Sequence, residues 1–78
     1  MNNLEKYEQT FSEIFEIDKN ELAGLEYQGI ENWDSVGHMS MVAAMEDVFD
    51  IEMDTDDIID FSSYKKGYEI LSKYGIKL

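Results

Sequence analysis

Seventy-eight residues make one domain, and the absence of cysteine leaves it no disulfide and no thiolate metal site. Six Lys against eighteen Asp and Glu give a formal charge of −12, a field that repels nucleic-acid phosphates and anionic lipid surfaces alike. A hydrophobic fraction of 44%, with five Tyr, four Phe and one Trp, exceeds what an acidic disordered tail carries, so a folded chain is expected.

The opening Met-Asn-Asn-Leu-Glu-Lys lacks the basic stretch and apolar run of a secretion signal. No apolar run nears the roughly 20 residues of a membrane-spanning helix, so the expected address is the cytoplasm. Leu4, Tyr7, Phe11, Ile14 and Phe15 recur at spacings of three and four, which predicts a helix over about residues 3 to 16. Ile17 is expected to close its core contact. Residues 18 to 34 lose that period: Asp18, Asn20, Gly24, Gly29 and Asn32 interrupt it, while Leu22, Leu25, Tyr27, Ile30 and Trp33 are scattered apolar anchors. A long ordered loop is expected, with a short helical turn around Glu21 to Leu25. Loops of this length inside a small domain are uncommon and often functional.

The second helix is predicted from about Ser35 to Asp50. Ser35 is a favoured N-cap type, and Asp34 suits the positive end of the helix dipole. At 100° per residue, Met41, Val42, Met45, Val48 and Phe49 share a core face with His38 at its edge. Val36, Met39, Ser40, Ala43, Glu46, Asp47 and Asp50 share the opposite, acidic face. Thr55 is placed to cap a short helix with Asp56 and Asp57 in its first turn. Ser62 or Ser63 caps the last helix, whose stripe is Tyr64, Tyr68, Leu71 and Tyr74. Gly75 is a stop signal with Ile76 folding back. Gly67, within that helix, marks either close packing or tolerance of a cost of up to about 1 kcal/mol. No segment alternates like a strand. The fold class is therefore all-α: a small four-helix bundle, three helices long and one short, with a long first loop.

Ser35 is the residue on which chemistry can be hung. A serine at a helix start is commonly just a cap. In Trp33-Asp34-Ser35-Val36-Gly37-His38-Met39, however, the hydroxyl follows a long loop and sits where backbone N–H groups favour a phosphate ester. Spacing permits a modified serine without demanding one. A hydrolase reading from Ser35 and His38 lacks an orienting carboxylate and an oxyanion hole, and Trp33 stands where a nucleophile elbow has glycine. A calcium loop starting at Asp50 would need Gly at its sixth position and Glu at its twelfth, where Thr55 and Phe61 stand. One His in a chain without Cys argues against a transition-metal site. Of Met39, Met41, Met45 and Met53, two are expected to point inward, which favours core packing over a promiscuous groove.

Three segments resemble the acyl and peptidyl carrier protein family. Asp34-Ser35-Val36 is similar to the family's Asp-Ser-Leu signature. Met45-Glu46-Asp47-Val48-Phe49-Asp50-Ile51 is similar to its Leu-Glu-x-x-Phe-x-Ile stretch, and Asp57-Ile58 through Phe61-Ser62-Ser63-Tyr64 to the turn before its last helix. They fall in the family's order and spacing over about residues 30 to 72. The resemblance implies a four-helix carrier with 4'-phosphopantetheine, derived from coenzyme A, attached covalently to Ser35 by a phosphopantetheinyl transferase. The arm's thiol would hold an acyl or aminoacyl group as a thioester. The chain would deliver it between partner enzymes and catalyse nothing itself.

By the same resemblance, Asp34 and Val36 contact the transferase, Met39, Ala43, Glu46 and Asp47 face partners, and Asp56 and Asp57 extend that acidic surface. The partners implied are a loading ligase or acyltransferase and downstream synthase enzymes with basic docking patches, met by a monomer. The charge then acts in steering and weak, salt-sensitive docking, where composition alone allows mere solubility equally. Val36 stands for the family's commoner leucine or methionine, and Gly37 and His38 depart from housekeeping fatty-acid carriers. The segment looks more like stand-alone carriers of specialised pathways. The rival reading is an acidic helical interaction domain with no prosthetic group, in which Ser35 only caps.

Overall fold

The computed structural model describes residues 2–78. Among the described residues the apolar stripes become four α-helices: α1 (Asn3–Phe15), α2 (Ser35–Phe49), α3 (Thr55–Asp60) and α4 (Tyr64–Lys73). No strand forms beyond an isolated bridge between Glu26 and Ser63. The chain is thus a small all-helical bundle with three longer helices and one short one. The first connection holds a single 3-10 turn, Lys19–Glu21, a few residues earlier than the expected turn.

Phe11 is the centre of the interior. Its ring lies 5.0–6.0 Å from those of Tyr7, Phe15, Trp33, Phe61 and Tyr64, so α1, the first connection and α4 meet on one side chain. Met41, Val42, Met45 and Phe49 bring α2 onto the same core, and Leu22 and Leu25 pin the long loop to it. Val48, expected inside, is 39% exposed. It lies at the margin of the stripe beside Lys6, Gln9, Thr10 and Glu13 of α1, whose polar chains keep that edge wet. Met53 is buried, so three of the four methionines considered above point inward rather than two. On α4, Ile70 is buried and Tyr68 is 39% exposed, which rotates the inner stripe toward Tyr64, Gly67, Ile70 and Leu71.

The helix ends follow local chemistry. Asn2 Oδ1 accepts from the Glu5 N–H at 2.8 Å to cap α1. Ser63, not Ser62, caps α4, its Oγ accepting from the Lys66 N–H at 2.9 Å. Asp54 rather than Thr55 is the residue preceding α3. Gly75, at φ 81°, closes α4: its N–H reaches the Ser72 carbonyl and the Ile76 N–H the Leu71 carbonyl, both at 3.1 Å. α1 and α2 make the same reversal without glycine, through Glu16 and Asp50, each at φ 54°. In both, an isoleucine follows: the Ile17 N–H bonds the Ser12 carbonyl, the Ile51 N–H bonds the Glu46 carbonyl, and both side chains pack on the core. That apolar contact compensates for the left-handed backbone.

Gly67 marks close packing. A Cβ there would collide with the Tyr7 hydroxyl and the Phe61 ring. Neither can retreat, because Tyr7 Oη donates to the Tyr64 carbonyl at 2.6 Å and Phe61 is fully buried. Burial also pushes the Tyr7 phenol's pKa well above its ordinary value. Gly67→Ala should therefore destabilise the protein by roughly 1–3 kcal/mol through overpacking, although alanine is the better helix former. Urea unfolding of the variant checks this; a stability gain would contradict the packing.

Candidate functional site

The site is built outward from Trp33. Its side chain is fully buried, stacked on Phe15 with ring centroids 5.1 Å apart and nearly parallel to His38 at 6.2 Å. The indole Nε1–H donates to His38 Nδ1 at 2.9 Å. An indole N–H only donates, so Nδ1 is the bare nitrogen, and the proton sits on Nε2, which donates to the Ile58 carbonyl at 2.8 Å. Around Trp33 the backbone is closed by the Gln28 N–H on the Trp33 carbonyl at 2.9 Å and by Asn32 Nδ2 on the Phe15 carbonyl at 3.0 Å.

With Trp33 sunk in the core, Asp34 is the last extended residue, at φ −100° and ψ −170°. Its Oδ1 accepts from the Gly37 N–H at 2.8 Å. The N-cap is therefore Asp34, and Ser35, expected to cap, is the first helical residue. Ser35 is exposed, and its hydroxyl has no hydrogen-bond partner among the described residues. The Gly37 N–H goes to the cap and the His38 N–H to the Asp34 carbonyl, leaving the first-turn N–H groups of Ser35 and Val36 for a ligand. Gly37 has a steric reason: a Cβ there would run into the Asn32 backbone carbonyl.

Beside Ser35 a cleft of about 340 Å³ opens between α2 and α3, walled by Met39, Ile58, Ile59 and Phe61 with Tyr27 and His38. Its surroundings carry unusually exposed apolar chains: Val36 at 74%, Met39 at 52% and Ile59 at 72%. Both nitrogens of His38 are engaged, so neither is free to accept a proton from Ser35.

Of the acidic surface read from sequence, Asp34, Ala43, Asp47 and Asp56 are exposed with Val36 and Met39. Two residues behave differently. Glu46 is half-buried, and its Oε2 accepts from the Met53 N–H at 2.8 Å, tying the connector after α2 to that helix. Asp57 is buried and turned away from the surface: Lys73 Nζ donates to its Oδ1 at 2.8 Å and Tyr74 Oη to its Oδ2 at 2.6 Å. Tyr74 Oη in turn accepts from the Asp54 N–H at 2.9 Å. Tyr27 and Ile59 were not singled out from sequence as site residues. Only the Ile58-Ile59 pair in a six-residue helix hinted that one of the two must face out.

Charge is distributed unevenly. All six Lys lie within residues 1–19 and 65–78, where six carboxylates match them. Residues 20–64, which hold Ser35 and both cleft helices, carry the other twelve carboxylates and no Lys or Arg. The whole net charge therefore belongs to the segment around the site. Among the described residues no helix is long and apolar enough to cross a membrane. No family model, curated protein or solved structure matches this chain.

The hydrogen bond from Lys73, then that from Tyr74, holds the Asp57 carboxyl below the usual carboxylate range. A group depressed in the fold adds stability in full above its unfolded value of about 4 and loses it as pH falls through the folded value. Asp57→Asn should lower the melting temperature at pH 7. Below about pH 4 its deficit relative to the parent should shrink. Thermal unfolding across pH checks this; a deficit independent of pH would contradict the pairing.

Proposed function

We propose that this chain is a carrier protein of the acyl and peptidyl carrier type, with a phosphopantetheine arm esterified to Ser35. The observation that supports it most is the freedom of the Ser35 hydroxyl. It is exposed, unbonded and relieved of capping by Asp34, at the first turn of a helix. The rival interaction-domain reading used Ser35 as the cap, and that duty is taken by its neighbour.

The residues present fit the group. A phosphodiester on Ser35 would be held by the uncommitted N–H groups of Ser35 and Val36 at the positive end of α2. When bound, the arm supplies a thiol that holds an acyl or aminoacyl group as a thioester. The chain's own part is to present, shield and be recognised. Val36 and Met39 offer apolar surface that a transferase or synthase can desolvate, and the cleft lies within reach of whatever Ser35 carries. The carboxylates of residues 20–64, eleven of the twelve without a lysine partner among the described residues, steer that segment toward basic patches on a phosphopantetheinyl transferase, a loading ligase or acyltransferase, and downstream synthases. Fast, weak and salt-sensitive docking suits a chain that visits several enzymes in the cytoplasm. The Trp33-Asp34-Ser35-Val36-Gly37-His38-Met39 segment favours a stand-alone carrier of a specialised pathway.

Incubation of the purified, unmodified protein with coenzyme A and a broad-specificity transferase should add the mass of one arm, and Ser35→Ala should abolish the gain. An unchanged mass across several transferases, or a gain that survives Ser35→Ala, would overturn the assignment. Docking has its own readout. Asp47→Lys, at an exposed position, should slow arm attachment by roughly threefold at low salt, with the difference vanishing as salt rises and helicity unchanged. Equal rates at low salt would remove Asp47 from the docking surface. Glu46 is unsuited to this test because it ties down Met53.

A further inference from the structure

α3, Thr55–Asp60, is six residues long, too short to hold a helical shape by itself in water. It nevertheless forms one wall of the cleft, through Ile58 and Ile59. Side-chain tethers hold it at two places. In its first turn the buried Asp57 carboxylate is gripped by Lys73 and Tyr74 of the α4 terminus, and Tyr74 also takes the Asp54 N–H just ahead of the helix. In its last turn the Ile58 carbonyl, one of the acceptors a helix end leaves unpaired, receives His38 Nε2–H at 2.8 Å. Among the described residues this is the one side-chain hydrogen bond that spans the cleft from α2 to α3.

We infer that His38 is the strap that sets where α3 sits, and with it the width of the cleft beside Ser35. The strap is aimed by Trp33: because the indole N–H occupies Nδ1, the ring's proton lies on Nε2 and faces Ile58. Tyr27 and Phe61 hold the imidazole edge-on, with centroids at 5.4 and 6.3 Å, so it cannot rotate away without moving them. Released from His38, α3 keeps its Asp57–Lys73–Tyr74 anchor and the buried Phe61 that follows it, and the Ile58-Ile59 wall between them loosens, opening the cleft. The buried residue that places Ser35 therefore also fixes the cleft. His38 is a positioning residue. The inference concerns unmodified protein and does not rest on Ser35 carrying an arm, so its failure leaves the carrier reading standing.

Amide hydrogen exchange on unmodified protein tests it, comparing the parent with His38→Leu, which has no donor, and His38→Gln, whose amide can accept from the indole and donate to Ile58. In His38→Leu, exchange of the Ile58 and Phe61 N–H groups should rise about tenfold or more while α1 and α4 amides change less than about threefold. An apolar dye should bind more strongly, and His38→Gln should restore most of the protection. Should His38→Leu fail to fold, His38→Asn, too short to span both partners, replaces it under the same outcomes. Unchanged α3 exchange, an equal rise in every helix, or no rescue by glutamine would overturn the inference.

Discussion

The burial of Trp33 is the constraint from which the site follows. Removing an indole from water is worth on the order of 5 kcal/mol gross, and Trp33 is fully buried between Phe15 and His38. Asp and Ser differ as N-caps by far less than this. Once the ring is seated, Asp34 is the residue at the helix boundary and Ser35 falls one position inside. Packing, rather than capping preference, thereby frees the serine hydroxyl. Gly37 belongs to the same arrangement, since only a residue without a side chain lets α2 start this close to the Asn32 carbonyl.

Polar contacts do the positioning that the apolar core does not reach. α3 lies at the edge of the interior, and its polar tethers fall on two adjacent residues: Lys73 and Tyr74 hold the Asp57 carboxylate, and His38 holds the Ile58 carbonyl. Concentrating all the net charge in residues 20–64 sets like charges against one another along that stretch of chain. Lys73, reaching in from α4, neutralises one carboxylate where it would otherwise be buried alone. Apart from the half-buried Glu46, the remaining acids of that segment face water, where repulsion is screened and a cationic partner can gain from them.

Much of the fold was legible because α1, α2 and α4 carry their own apolar periods, and because the Ser62-Ser63 pair and Gly75 are local signals for a start and a stop. What escaped sequence reading depends on distant partners. Asp57 looks like any acidic residue in a helix's first turn until Lys73 and Tyr74, 16 and 17 residues on, are brought to it. Glu46 reads as surface until the chain turns back and offers the Met53 N–H. The reversals at Glu16 and Asp50 have no glycine to announce them, only the isoleucine that follows each. Gly67 left packing and tolerance open, and Tyr7 with Phe61 decides between them. The cleft was invisible because it joins Met39 to Ile58 and Ile59 across a connector with no periodicity.

The proposed role reduces to one covalent bond at Ser35 Oγ. Peptide-level fragmentation mass spectrometry of the protein recovered from the cell that makes it would locate that bond directly. The prediction is a phosphopantetheine mass confined to Ser35; a chain bare at that serine, or bearing the group elsewhere, would contradict it.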